Sequence, residues 1–241
     1  MNGDWGQLIP DVVDGWLFTE RGELPGSLLV PLENPHLHDA AAWEKAVGSP
    51  AKVNGVVAHH RVAGQEIGVA KPVLGAASTA MLVDAAAHRG VRTVVGVGFC
   101  GGTDARLRCG DVVVASCAHA RDGVSQAYDP AVATSAGDSR LVALARDRAS
   151  IGAVLSVAAV HLEDQALVEH CAGIGVLGMD LETASLYTVS RLRRLAAVAV
   201  LAVSDVPARC AAADAALLGE GAARALELGV SIALAAERSH G

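Results

Sequence analysis

Three acids in two short segments have the residue types and spacing to do chemistry. Asp180 and Glu182 stand in Met179-Asp-Leu-Glu-Thr-Ala-Ser185, where a strand turns into a helix, and Asp205, in Ser204-Asp205, follows the apolar run 195–203. An ionised carboxylate only accepts hydrogen bonds, so Glu182 at a cleft edge suits a diol whose hydroxyls both donate. The run 195–203 reads as a buried parallel strand, and open α/β sheets bind ligands at the carboxyl ends of strands, where Asp205 falls. A diol-gripping glutamate and a proton-donating aspartate together point to chemistry on a nucleoside. Taken singly, each acid has a plainer reading, Glu182 as a dipole partner at a helix start and Asp205 as an N-cap.

A third segment tips the balance toward a site. Gly96, Gly98 and Gly101 satisfy GxGxxG within Gly96-Val-Gly-Phe-Cys-Gly-Gly102. That spacing marks a dinucleotide site only where it opens a helix inside a βαβ unit. Here Cys109-Gly110 turns the chain straight into another apolar strand, which leaves no room for the helix. The segment reads as a glycine-rich strand–loop–strand whose backbone can approach a ligand closely.

The elements that must position these residues follow from composition and period. A chain of 241 residues fits one α/β domain, and 52% hydrophobic against 3% aromatic residues makes its core one of Ala, Val and Leu. Such a core suits a parallel sheet under Ala-rich helices. Strands are expected at 53–58 and 66–70, paired about the turn at Ala63-Gly64, then at 93–97, 111–117, 153–160 and up to Val203. Helices are expected at 78–88, 139–150, 165–171, 183–195 and 211–238, the last with a break at Gly219-Glu-Gly221. This alternation predicts an α/β fold, a three-layer α/β/α sandwich with a central mixed, largely parallel sheet. Residues 1–48 hold all three tryptophans (Trp5, Trp16, Trp43) and little periodicity, so they read as an irregular N-terminal arm of a single domain 1–241.

Other chemistries are set aside. A net charge of −7 gives no basic footprint for nucleic acid or an anionic membrane. No apolar run reaches the ~18 residues of a membrane span, and the first residues lack a signal pattern. Five cysteines without a CxxC pair read as reduced thiols of a cytoplasmic protein. His36 and His38, and His59 and His60, lack a third ligand at a convincing spacing, so no metal is expected. His161, just past a strand and beside Glu163 and Asp164, reads equally as a site or a surface residue. Ser78 and Ser204 lack a nucleophile elbow.

The segments, in this order from about Gly64 to Glu237, resemble the nucleoside phosphorylase/nucleosidase superfamily that includes purine nucleoside and uridine phosphorylases. Residues 64–78 look like its first strand and glycine loop, 96–102 like its second glycine loop, and 121–128 like the segment after the next strand. Asp180-Leu-Glu-Thr-Ala-Ser185 resembles the Glu-Met-Glu-Ser/Ala-Ala signature, and Ser204-Asp205 the purine-type Ser-Asp. The resemblance implies a homo-oligomer, a dimer or a hexamer built as a trimer of dimers. It implies that Glu182 binds the ribose 2′- and 3′-hydroxyls, that Leu181 replaces a methionine under the sugar, and that Asp205 protonates or hydrogen-bonds N7 of a purine leaving group. Asp180, Phe99, Cys100, Gly101, Ser204 and His161 would complete the nucleoside pocket.

No cofactor is implied, but phosphate is a possible co-substrate, with Gly75, Arg61 and Lys71 as candidate contacts and Lys52 or Arg121 as substitutes. The departures concern that phosphate. Gly96 and Phe99 stand where phosphorylases carry an arginine and a Thr or Ser, and the N-terminal Gly-Asp-Pro loop is not recognisable. The expectation is cleavage of a purine-type nucleoside by phosphate, with hydrolysis or nucleoside binding without turnover as alternatives.

Overall fold

The chain is described by a computed structural model over residues 12–36, 38–206 and 215–239. Its strands are β1 (Ser27–Leu32), β2 (Lys52–Asn54), β3 (Val57–Val62), β4 (Gln65–Ala70), β5 (Thr93–Gly102), β6 (Val112–Arg121), β7 (Thr134–Ala136), β8 (Ser150–Val157), β9 (Val176–Asp180) and β10 (Ala196–Asp205). The helices are α1 (residues 12–17), α2 (Ala40–Val47), α3 (Ala76–Ala87), α4 (Val124–Tyr128), α5 (Ser139–Ala143), α6 (Gln165–Gly173), α7 (Thr183–Leu192) and α8 (Ala215–Arg238).

All ten strands form one mixed sheet in the order β10-β6-β8-β9-β5-β1-β4-β3-β2, with β7 beside β6. Strands β4, β1, β5 and β10 run parallel. Helices cover both faces. One core packs α3 and α7 against the sheet through Leu82, Val83, Leu186 and Tyr187. The other packs α2 and α8 through Trp43, Leu226, Leu228 and Ile232. The mixed α/β architecture expected from the alternation of elements is the one observed.

Two features of the sheet were not foreseen. Strand β5 pairs with β10 on one side and, through Gly101 and Gly102, with β9 on the other, so β5-β10-β6-β8-β9 close into a ring. The strand expected at 93–97 therefore runs on to Gly102, so the glycine segment read as strand–loop–strand is the last part of one strand, and the connecting loop begins only after it. The second feature is β1. Residues 1–48 were read as an irregular arm, yet Ser27–Leu32 is a fully buried strand between β4 and β5. Pro31 hid it, because proline removes a ladder donor and argues against a central strand. It is tolerated here because it lies beyond the last β4 partner at Leu29↔Val69, while its carbonyl accepts from Val73 N–H at 3.0 Å. Of the tryptophans in this stretch, Trp43 is buried and Trp16 is exposed, and Trp5 lies outside the described residues.

Smaller differences have local causes. The strand expected at 53–58 is split into β2 and β3 by the left-handed turn at Gly55. Helix α3 starts at Ala76 rather than Ser78, which instead donates its hydroxyl back to the carbonyl of Leu74. The helix expected at 139–150 ends at Ala143, and Asp147 then takes a positive φ before β8. Helix α8 runs unbroken through Gly219 and Gly221, and residues 211–214 lie outside the described residues.

Candidate active site

Strand ends build the site. The carboxyl ends of β1, β5, β9 and β10 meet around a cavity of about 520 Å³, where a doubly wound sheet leaves room for a ligand. Beside those ends stand Leu74, which precedes α3, Val160, which opens the 3-10 turn Val160–Leu162 after β8, and Glu163, which follows that turn.

Glu182 and Asp205 both line this cavity. Glu182 is buried, with Oε1 accepting from Gly75 N–H at 2.6 Å and Oε2 from Leu181 N–H at 3.3 Å. Gly75 can aim its N–H there because it takes φ +81°, a conformation that costs glycine little. Burial and the neighbouring Asp180 push the Glu182 carboxyl up to about 8, against the pull of those two backbone donors. Each oxygen keeps a further lone pair, so the ionised form can still accept from a diol. Asp205 is half-buried at the end of β10, and its Oδ1 accepts from the Ser204 hydroxyl at 2.6 Å. That hydroxyl also lies 3.2 Å from the Cys100 carbonyl oxygen, which ties the end of β10 to β5.

Asp180 has a different task from its neighbour. Its carboxylate accepts from the Ser156 hydroxyl at 2.5 Å, from Thr183 N–H at 3.0 Å and from the Thr183 hydroxyl. Ser156 in turn accepts from Ala184 N–H at 2.8 Å. This network caps α7, and it occupies a carboxylate whose ordinary range burial has raised. Although Asp180 borders the cavity, its oxygens are committed to the helix start. The helix-start role offered for Glu182 thus falls to Asp180, and the Glu182 side chain makes no cap hydrogen bond to α7.

Of the other expected residues, Leu181, Phe99, Cys100, Gly101 and Ser204 line the cavity. Cys100 is buried, and a Cβ placed on Gly178 would lie 2.9 Å from its Sγ, so its thiol packs into the β5–β9 junction. Burial pushes that thiol far up. His161 falls on the exposed side of the turn and does not line the cavity, whereas Glu163, two residues on, does. Glu163 is pushed up to about 7 by burial first, then by Asp205 and Asp180.

Glu33 and Asn34, which follow β1, also border the site and escaped the sequence reading. Glu33 Oε1 lies in hydrogen-bond contact with His38 Nδ1 at 2.6 Å, and burial raises its carboxyl despite that partner. Their signal lay in the unrecognised strand, because an acid just past a buried parallel strand repeats the logic that found Asp205.

The candidate phosphate contacts are scattered. Gly75 spends its N–H on Glu182. Arg61, on β3, Lys71 and Arg121 are exposed and do not line the cavity, and Lys52 pairs with Glu20 at 2.6 Å. Gly96 has a packing reason: a Cβ there would lie 2.6 Å from Leu32 Cδ1 and 3.0 Å from Leu186 Cδ2, so β5 has no space for an arginine at this point. The described residues that line the cavity include five acids (Glu33, Glu163, Asp180, Glu182 and Asp205) and no lysine, arginine or histidine. His59 and His60 turn instead to Glu66 and the Gly48 carbonyl.

An acid-lined cavity can accept hydrogen bonds from a polyol, stabilise positive charge that develops on it, and return a proton to a leaving group. Comparison with known proteins agrees with the sequence signatures. A curated guanosine phosphorylase of Halorubrum lacusprofundi is 28% identical over 147 residues, spanning 58% of this chain and 61% of that protein. A DeoD-type purine nucleoside phosphorylase of Bacillus cereus is 24% identical over 202 residues, 77% of this chain and 84% of that protein. The solved uridine phosphorylase of Vibrio fischeri ES114 superposes with a TM-score of 0.77 at 20% identity, covering 90% of this chain and 100% of that one. Its complex with 6-hydroxy-1-naphthoic acid gives 0.73 at 20% identity, over 88% and 90%. The sequence profile of the family described as the phosphorylase superfamily matches residues 28–236, and the chain belongs to that family.

Proposed function

We propose that this protein cleaves the N-glycosidic bond of a purine-type nucleoside. The observation that carries the reading is the placement of Glu182 and Asp205 on one cavity at the strand ends. Breaking the bond builds an oxocarbenium-like sugar and a departing base. In its ionised form Glu182 accepts from the 2′- and 3′-hydroxyls, fixes the sugar and favours its developing positive charge. Asp205 hands a proton to N7 of the base as the bond lengthens, a step worth ~10²–10⁴-fold. The curated relatives named as guanosine and purine nucleoside phosphorylases support a purine base.

The same names support phosphate as the acceptor, but the lining of the cavity favours water. A phosphate dianion needs cationic or multiple N–H partners, and the described lining supplies carboxylates instead. In that reading Glu33, which lines the cavity and contacts His38, takes a proton from the attacking water. Purine release that proceeds at full rate without phosphate and yields free ribose supports hydrolysis. Release only with phosphate, yielding ribose 1-phosphate, supports phosphorolysis. Under hydrolysis Glu33→Gln loses ~10²-fold or more in kcat while nucleoside binding persists.

A further inference from the structure

We propose that Glu163, acting beside Asp205, reads the substituent at position 6 of the purine and so sets which bases the site accepts. The inference rests on the purine-nucleoside reading and names a residue which that reading leaves idle. A Cβ built on Gly101 would lie 3.6 and 3.8 Å from the two Asp205 carboxylate oxygens and 3.8 Å from Glu163 Oε2. Two carboxyl groups from different elements, β10 and the turn after β8, thus close on one point of the β5 backbone, and glycine keeps that point open. A purine carries N7 and its 6-substituent on a single edge, with O6 accepting in guanine and N6–H₂ donating in adenine. With N7 at Asp205, the neighbouring position on that edge meets Glu163.

The protonation state of Glu163 then decides the partner. A neutral carboxyl donates to a 6-oxo group, and an ionised one accepts from a 6-amino group. The titratable groups that act on Glu163 are Asp205 on β10 and Asp180 on β9. The Cys100 thiol on β5 and the Cys171 thiol on α6 feel it in turn. The two acids and burial hold Glu163 near 7, where both forms are populated at neutral pH.

The test is kcat/KM for inosine or guanosine against adenosine, measured from about pH 5.5 to about pH 8.5 across the titration of Glu163. The 6-oxo to 6-amino preference should fall by about tenfold through this range, the size of one hydrogen bond involving a charged group. In Glu163→Gln, whose amide does not titrate, the ratio should be flat with pH. A flat ratio in the wild type, or an unchanged pH dependence in Glu163→Gln, overturns the role of Glu163 while purine cleavage stands. Failure to release base from any purine nucleoside overturns both.

Discussion

At the scale of single residues, the site is an exercise in what burial does to acids. Glu182 is held near 8, and between the ordinary carboxylate value and that point its folded form keeps a proton that the unfolded chain has lost. Stability contributed by this group is therefore full at low pH and falls as pH rises toward 8. Glu182→Gln removes the penalty. Its melting temperature should exceed that of the wild type by a few degrees at pH 8, with the gain fading toward pH 5, while nucleoside cleavage is lost. Equal melting shifts at both pH values would show that Glu182 is not held protonated.

Asp205 is tested by the leaving group. If Asp205 supplies the proton, Asp205→Asn lowers kcat ~10²–10⁴-fold for natural purine nucleosides and far less for a riboside with an activated leaving group such as nitrophenol. Comparable losses on both substrates would remove acid catalysis from its role.

At the scale of elements, one strand–helix junction separates structure from chemistry. Asp180 and Glu182 are two residues apart, yet Asp180 holds the first turn of α7 through Ser156 and Thr183 while Glu182 faces the cavity. Asp180→Ala leaves those buried donors without an acceptor and should cost about 2–4 kcal/mol. Asp164→Ala, which removes the exposed cap that accepts from Leu167 N–H at 2.8 Å, should cost about 1 kcal/mol. Denaturant midpoints at constant slope measure both. Equal costs would contradict the assignment of Asp180 as the buried anchor of α7.

The same junction marks how far the sequence could be read. Asp205 stood out because it follows the apolar run 195–203, which reads as a buried strand, and Glu182 because of its signature at a strand-to-helix turn. Glu33 did not, because Pro31 disguised the strand before it. Glu163 was passed over for His161, because a histidine draws attention near a site, whereas the three-residue 3-10 turn that points one inward and the other outward has no periodicity to read. The missing arginine at position 96 was legible as a departure. Its packing cause, Leu32 and Leu186 on either side of β5, requires the tertiary structure.

At the scale of the whole molecule, alternating elements predicted the mixed sheet and its two helical layers, but not the ring formed by β5-β10-β6-β8-β9. Ring closure depends on the two-residue contact of Gly101 and Gly102 with Met179 and Gly178, a pairing no local pattern announces. It matters for function because it brings the β9 end, with Glu182 just beyond it, against the β5 end that neighbours Asp205. Among the described residues no helix is long and apolar enough to cross a membrane.

The proposed reaction is tested most directly by incubating the wild-type protein with inosine, guanosine and adenosine, with and without phosphate, and quantifying the free base. Release of purine that disappears in both Glu182→Ala and Asp205→Asn is the predicted result. Intact nucleosides under every condition would contradict glycosidic cleavage.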